Sequence, residues 1–169
     1  YAVSKTSQDH LAFAYFKSFN LKIIRTRMFT YFNPRRSDLF STAFAKQVVA
    51  IEKGNQDVLR HGNLDSVRTM VDVRDAMKAY WLAAVRCEIG EVYNIGGSNT
   101  ISVGDVLKIM IDLAKVPIKT EINTNLLRAK DVTLQVPDST KFIDCTGWTE
   151  EFSFDESLDH LLNYWRNRV

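Results

Sequence analysis

The first five residues, YAVSK, place a tyrosine and a lysine four positions apart at the start of a helical pattern. Residues at i and i+4 share one face of a helix, so Tyr1 and Lys5 are predicted to lie together. An ammonium beside a phenol stabilises the phenolate and lowers the pKa of that phenol from its usual value of about 10. Such a tyrosine can exchange a proton with a substrate hydroxyl near neutral pH. The spacing alone is a weak signal, because a solvent-exposed helix can carry the same pair by chance.

Composition limits the class of protein that carries this pair. Of the 169 residues, 46% are hydrophobic and 25% are charged, as is ordinary for a globular protein. The net charge of +2 is not gathered into a basic block, so nucleic acid is not an expected partner. No apolar run reaches the roughly 20 residues that cross a bilayer, and no signal peptide is visible, so no membrane association is expected.

The two cysteines and the three tryptophans are predicted to be structural. Cys87 and Cys145 lack the spacing of metal ligands, so we expect two buried free thiols, no metal site and a reducing, cytoplasmic setting. Trp81, Trp148 and Trp165 stand at spacings typical of core residues.

The elements that must position the Tyr-Lys pair alternate between helices and strands. Hydrophobic periodicity and helix-stop residues predict helices over 1–19, 42–53, 76–85, 103–115 and 154–169, and strands over 21–29, 58–59, 67–73, 91–97 and 118–123. This alternation predicts an α/β protein in which a smaller mixed lobe lies beside a larger sheet. The glycine pair in IGGSN, residues 95–99, lacks the G-x-G-x-x-G spacing and is predicted to be a turn.

Longer motifs follow in a fixed order after the Tyr-Lys helix. They are FNPRRSDLF, GNLDSVRTMVDVRDAMKAYWLA, GEVYNIGG, LLRAKDVTLQVPDSTKF and TGWTEEFSFDESLDHLLNYW. Together they resemble the extended short-chain dehydrogenases/reductases, in the branch of GDP-mannose 4,6-dehydratase and GDP-4-keto-6-deoxymannose reductase. The resemblance covers almost the whole chain.

The resemblance implies the C-terminal portion of an extended SDR NAD(P)-binding Rossmann-type fold, with its glycine-rich N-terminal half absent from these residues. Residues 1–29 would be the remnant of the Rossmann-type domain, with the Tyr-Lys helix and the strand after it. Residues 30–169 would form mainly the nucleotide-sugar substrate lobe, with some segments returning to the Rossmann sheet.

The resemblance also implies roles for particular residues. Tyr1 would act as acid and base at C4 of the sugar, and Lys5 would hold the nicotinamide ribose, so both are implied catalytic and cofactor-binding residues. The implied cofactor is NADP, with NAD left open. Arginine forks suit the diphosphate of a GDP-sugar. The implied substrate-binding residues are Thr30, Arg36, Arg60, Arg68, Arg128 and Asp131.

Three positions depart from the pattern of the branch. Thr30 stands where an asparagine that helps position the diphosphate is common. Ala43 stands where the dehydratases carry a further arginine, and Ala129 replaces a usual proline. The first two departures weaken the match at the substrate, whereas the third is expected to change only the local backbone.

The leading hypothesis is an NADP-dependent GDP-mannose 4,6-dehydratase, a lyase that forms GDP-4-keto-6-deoxymannose and water. In that reaction the hydride leaves C4, water is eliminated across C5 and C6, and the hydride returns to C6. This chain would be the C-terminal part of the enzyme and inactive alone. The arginine pair in PRR favours the dehydratase, whereas Ala43 and YAVSK favour the reductase.

Other functions stay open at this point. The chain could belong to another nucleotide-sugar epimerase or dehydratase, could bind a nucleotide sugar without catalysis, or could be a structural remnant. The apolar run LAFAYF on the Tyr-Lys helix implies a homodimer or a dimer-based tetramer, because the branch pairs its subunits through this helix.

Overall fold

The computed structural model describes residues 1–127 and 132–168, which form a mixed α/β fold. The helices are α1 (Ala2–Phe19), α2 (Phe40–Glu52), α3 (Val73–Arg86), α4 (Val103–Asp112), α5 (Thr140–Thr146) and α6 (Phe154–Arg166). The strands are β1 (Arg25–Met28), β2 (Tyr31–Phe32), β3 (Val58–His61), β4 (Val67–Thr69), β5 (Val71–Asp72), β6 (Val92–Ile95), β7 (Thr100–Ser102), β8 (Lys119–Ile122) and β9 (Leu134–Gln135). A 3₁₀ turn covers Thr124–Leu126.

Parallel pairing dominates the strands. β1 pairs with β6, with Arg25 opposite Val92 and Met28 opposite Ile95. β2 pairs with β5, and β3 pairs with β8, both parallel. β4 lies between β7, which is antiparallel to it, and β9, which is parallel. Parallel neighbours need crossover connections, and the intervening helices supply them. The predicted α/β class is therefore confirmed.

Two hydrophobic cores hold these elements together. The first core lies among α2, α4 and α6, where Val48, Met110 and Leu161 are almost wholly buried. The second core joins α3, α5 and β6 through side chains such as Ile95 and Phe142. Full burial of each such side chain stabilises the fold by about 1.5–3 kcal/mol, so these helices are fixed by packing rather than by propensity alone.

Capping residues define the ends of several helices. Asn20 ends α1 in the left-handed conformation, with φ 53°. The Ser102 side chain accepts a hydrogen bond from the Asp105 backbone as the cap of α4. At α6, Ser153 and Glu156 form a reciprocal capping box. Strand lengths were predicted less well, because the strand predicted over 21–29 is only β1, four residues long.

Two predictions about buried side chains were wrong. Trp81 is 68% exposed, because it lies on the face of α3 opposite the buried Ala76, Ala79 and Ala83. Cys145 is exposed, whereas Cys87 is buried as predicted, and both are free thiols. Trp148 is buried as predicted, and Trp165 packs against the first core in a half-buried position.

Candidate functional site

Tyr1 and Lys5 lie on one face at the first turn of α1. The Lys5 backbone amide donates to the Tyr1 carbonyl at 3.0 Å, which closes the first turn of the helix. The Lys5 Nζ atom lies 5.7 Å from the centroid of the Tyr1 ring and donates to Gln8 Oε1 at 3.2 Å. The Tyr1 side chain is 94% exposed. The predicted pairing is therefore confirmed, and its polar atoms are accessible to a ligand.

The pair opens into a cleft of about 770 Å³ between α1, β1 and the segment after β1. The lining residues include Tyr1, Lys5, Asp9, Arg25, Arg27, Tyr31, Arg36 and Tyr80. The cleft thus brings together three of the residues implied by the sequence, namely Tyr1, Lys5 and Arg36. It contains more cationic than anionic side chains, which suits a phosphorylated ligand.

Ionic and aromatic contacts hold α1 against β1. Asp9 Oδ2 accepts from Arg27 Nη2 at 2.7 Å and lies 3.6 Å from Arg25 Nη1. The Arg25 guanidinium stacks over the Phe13 ring, 4.7 Å from its centroid. The hydrogen bond from Arg27 is the main reason that the pKa of Asp9 lies below its ordinary value. Asp9 follows Lys5 by one helical turn, so one face of α1 carries both the Tyr1–Lys5 pair and the contacts with β1.

Close packing at Gly90 completes the docking of α1. Gly90 has φ +89°, and a Cβ there would lie 2.3 Å from Phe16 Cζ. The glycine therefore allows the Phe16 ring to pack directly on the backbone before β6. Arg25 Nη2 also donates to the Gly90 carbonyl at 3.3 Å, which joins this contact to the ionic one.

Arg36 lies on the loop that the sequence assigned to substrate binding. Its Nε donates to Asp38 Oδ1 at 3.1 Å, and its Nη2 donates to Asp38 Oδ2 at 2.5 Å. These hydrogen bonds, followed by one with Tyr31, raise the pKa of Arg36. Arg36 and Asp38 are both substantially exposed. A diphosphate that bound Arg36 would thus compete with the Asp38 carboxylate for the guanidinium, or both anions would contact the guanidinium together.

Thr30, Arg60 and Arg68, three further implied substrate residues, lie apart from the lining of this cleft. The half-buried Thr30 accepts a hydrogen bond from the Val71 amide at 3.3 Å through its carbonyl. Arg60 is exposed and lies 3.9 Å from Glu121. Arg68 donates to Gln135 through Nη1, and its buried Nε has no hydrogen-bond partner among the described residues. Arg128 and Asp131 lie outside the described residues.

The glycine pair after β6 is explained by packing. A Cβ at Gly97 would lie 2.4 Å from the Met70 carbonyl oxygen, and one at Gly96 would lie 2.3 Å from Pro137 Cγ. Both positions therefore need glycine for close approach of neighbouring segments. This packing accounts for the two glycines without a role in phosphate binding.

Sequence reasoning missed two tyrosines of the cleft. Tyr31 begins β2 directly after the β1 region, and Tyr80 projects from α3. Burial raises the pKa of Tyr80 above its ordinary value. Tyr80 closes the motif DVRDAMKAY, so its place in that motif was the available signal. Both tyrosines line the same cleft as Tyr1.

Neither a metal centre nor a membrane span is found in the described parts of the chain. Residues 1–127 and 132–168 contain no group of three or more His, Cys, Asp and Glu side chains that could hold a metal ion. None of the described helices is both long enough and apolar enough to cross a bilayer.

Comparison with known proteins gives a consistent picture. The family model described as GDP-mannose 4,6 dehydratase matches residues 1–161. GDP-6-deoxy-D-mannose reductase of Pseudomonas aeruginosa is 26% identical over 171 residues, which cover 100% of this chain and 56% of that protein. A dTDP-D-glucose 4,6-dehydratase of Dictyostelium discoideum is 30% identical over 114 residues, or 68% of this chain and 26% of that protein.

Solved structures share the fold over the whole chain. RMD from Pseudomonas aeruginosa, complexed with NADPH, matches with a TM-score of 0.92 and 24% identity, covering 100% of this chain and 57% of that one. A dTDP-glucose 4,6-dehydratase from Bacillus anthracis, in complex with NAD, matches with a TM-score of 0.85 and 24% identity. The match covers 99% of this chain and 52% of that one. The chain spans about half the length of these relatives. It belongs to the GDP-mannose 4,6 dehydratase family of extended short-chain dehydrogenases/reductases.

Proposed function

We propose that this chain is the tyrosine-bearing, substrate-binding part of an NADP-dependent GDP-mannose 4,6-dehydratase. The observation that carries the proposal is the cleft that Tyr1, Lys5 and Arg36 line together. An acid-base tyrosine and an arginine at one cleft fit a substrate with a reactive sugar and a charged diphosphate. The match of the family model over residues 1–161 supports the same choice.

The exposed ends of Tyr1 and Lys5 fit a nicotinamide cofactor. Lys5 Nζ donates to Gln8 Oε1, and a lysine ammonium has three donors. Donors therefore stay available for ribose hydroxyls. NADP, when bound, supplies and accepts the hydride. NADPH in one structural relative and NAD in another support a nicotinamide cofactor in the same fold.

The chemistry assigned to this chain is proton transfer and substrate orientation. Tyr1 Oη takes the proton of the sugar 4-hydroxyl as the 4-keto group forms. That keto group stays in the product, because the hydride returns to C6. The Lys5 ammonium lies on the same side of α1, 5.7 Å from the centroid of the Tyr1 ring. Arg36 and Arg68 bind the diphosphate, and the buried Nε of Arg68 that lacks a partner in the described segments supports this role. Thr30 and Arg60, together with Arg128 and Asp131, complete the proposed substrate contacts.

A second candidate is the reduction of a GDP-4-keto-6-deoxy sugar. The reductase of Pseudomonas aeruginosa matches along the whole chain, and Ala43 replaces the further arginine of the dehydratases. The same Tyr1 and Lys5 serve both reactions. The two candidates differ in net redox change, because the dehydratase returns its hydride to the product and the reductase consumes NADPH.

An apolar groove on α1 supports a homodimer of the complete enzyme. The groove measures about 650 Å³ and includes Ala2, Val3, Leu11 and Ala14. Leu11 and Val3 are largely exposed, and contiguous exposed apolar surface marks an interaction site. We therefore propose that α1 packs against its copy in a second subunit. Two free thiols support a reducing, cytoplasmic setting for the enzyme.

The test is turnover by the full-length protein that contains this chain. GDP-mannose and NADP are incubated with it, and the products are separated and weighed by mass spectrometry. The dehydratase proposal predicts a product lighter by one water and no net NADPH consumption. Oxidation of one NADPH per GDP-4-keto-6-deoxymannose, with no reaction of GDP-mannose, would establish the reductase instead.

Two variants on α1 separate chemistry from folding. Tyr1→Phe removes the proton-transferring hydroxyl and should lower turnover by about 10² or more. Tyr15→Phe is the matched control, because Tyr15 is an exposed tyrosine on the same helix. Its turnover should stay near that of the unmodified enzyme. Equal activity of the Tyr1→Phe variant would refute the acid-base assignment.

Three variants test the diphosphate contact by calorimetric titration with GDP. Arg36→Ala should weaken binding about tenfold, because a charge-assisted bidentate contact is lost. Asp38→Asn should strengthen binding several-fold, since it frees the Arg36 fork from its internal carboxylate. Arg35→Ala, at the exposed neighbouring position, is the control. No change in the Arg36→Ala variant would remove Arg36 from the site.

A further inference from the structure

The two cysteines of the chain meet at the ends of two packed helices. Cys87 follows the last residue of α3, and Cys145 lies in the last turn of α5. Their Sγ atoms are 3.8 Å apart, although the residues are 58 positions apart in the sequence. Cys145 Sγ also lies 3.4 Å from the Arg86 carbonyl oxygen.

Independent contacts hold the two helix ends in this arrangement. Arg86 donates through Nη1 to the Thr146 carbonyl, which joins the end of α3 to the end of α5. Thr146 is buried and its hydroxyl donates to the Phe142 carbonyl at 2.7 Å. Phe142 is in the second core, so α5 cannot shift without disturbing that packing. The approach of the two thiols is therefore a stable property of the fold.

We propose that Cys87 and Cys145 are a thiol-disulfide exchange site that reacts with small-molecule disulfides and closes to an intramolecular disulfide. A disulfide has an S–S length of about 2.05 Å, so the sulfurs must approach by about 2 Å. The exposed Cys145 can make that adjustment by side-chain rotation, whereas Cys87 is fixed by burial. The proposal does not depend on the proposed enzymatic function.

Exposure sets the order of the two exchange steps. The Cys145 thiolate attacks one sulfur of glutathione disulfide, whose S–S bond breaks, and the first glutathione leaves with the proton of Cys145. The Cys87 thiolate then attacks the Cys145 sulfur, and the second glutathione leaves with the proton of Cys87. The two protein thiols lose two electrons in total, and glutathione disulfide gains them.

Burial supports this order. It is the main cause that raises the pKa of the Cys87 thiol to about 11, so Cys87 is protonated at neutral pH and is a poor first nucleophile. The ionisable groups that act on it are the Cys145 thiol, the Tyr93 hydroxyl and the Lys141 ammonium, which lies over the Tyr93 ring. Cys87 can attack once Cys145 carries glutathione, because the fold then holds the Cys145 sulfur beside it.

The experiment incubates the reduced 169-residue chain with excess glutathione disulfide, then measures intact mass and free thiols after denaturation. The expected result is a product lighter by two hydrogen atoms, with both thiols lost and no glutathione retained. Cys87→Ser should stop with one glutathionyl group on Cys145, and Cys145→Ser should keep its one thiol free. The disulfide closes a long loop, so it should raise the Tm by several degrees.

Three results would overturn the proposal. The unmodified chain could keep both thiols free, or it could stop at a stable mixed disulfide on Cys145. The third is a disulfide that joins two chains, which a non-reducing gel detects. The Cys145→Ser variant keeps the test informative, because its substitution is at an exposed position and the buried thiol stays in place.

Discussion

Replacing Asp9 with asparagine should loosen the docking of α1, the helix that carries Tyr1 and Lys5. No residue of α1, all of which lies within the described segments, is buried. Its attachment to β1 therefore depends on a few contacts, and the ionic one between Asp9 and Arg27 is the shortest, at 2.7 Å. Helices held by few buried contacts open locally at less than the global free energy of unfolding.

The size of the effect follows from the exposure of the charges. The side chain of Asp9 is 21% exposed, and those of Arg25 and Arg27 are 16% and 53% exposed. This triad is intermediate between an exposed ion pair and a buried charge-assisted hydrogen bond, so its loss should cost about 1 kcal/mol. That free energy corresponds to about a fivefold larger population of the state in which α1 is detached.

Hydrogen exchange followed by mass spectrometry measures this population directly. In Asp9→Asn, amides in α1 should exchange about fivefold faster, whereas amides of α4 in the first core should exchange at the original rate. Asp144→Asn is the control, because Asp144 is exposed on α5 and is in none of the ion pairs between described residues. Unchanged amide exchange rates in α1, or equally faster exchange throughout the chain, would refute the reasoning.

The same contact should weaken in acid. The pKa of Asp9 in the folded chain lies below its ordinary value, mainly because Arg27 donates a hydrogen bond to it. A lowered folded pKa gives a contribution that is complete above the unfolded pKa of about 4. The contribution is lost as the pH falls through the folded pKa. Exchange in α1 should therefore accelerate selectively below about pH 4.

Further predictions concern stability and packing. Arg166→Ala should destabilise the chain by about 3 kcal/mol in urea unfolding, because Glu52 is left buried without its bidentate partner. The hydrogen bond from Arg166 lowers the pKa of Glu52, so this contribution should be complete above about pH 5 and should fall in acid. Leu161→Ala should cost about 3 kcal/mol by leaving a cavity in the first core; a cost below about 1 kcal/mol would show that the site collapses. Gly90→Ala should displace the Phe16 ring and lower the Tm by several degrees, and an unchanged Tm would contradict the close contact.

Features encoded by neighbouring residues were predictable from the sequence. The shared face of Tyr1 and Lys5 follows from helical spacing, and the end of α1 at Asn20 follows from its tolerance of the left-handed conformation. The cap at Ser102 depends on a backbone amide three residues later, so the local sequence specifies it. Such features need no knowledge of tertiary contacts.

Features that depend on distant segments were not predictable. β2 has two residues and β7 has three, too few for alternation to reveal a strand. The exposure of Trp81 depends on which face of α3 meets the second core, and several alanines on the opposite face fill that position. The approach of Cys145 to Cys87, which are 58 positions apart, depends on how α3 and α5 pack in the folded chain.

The central claim is that the Tyr1–Lys5 cleft serves a reaction in which hydride leaves C4 of GDP-mannose and returns at C6. Incubating the full-length protein with NADP and GDP-mannose deuterated at C4 tests this most directly. The account predicts GDP-4-keto-6-deoxymannose with deuterium at C6 by NMR, and loss of this product in Tyr1→Phe. Unreacted GDP-mannose, or a 6-deoxy product without deuterium at C6, would contradict the account.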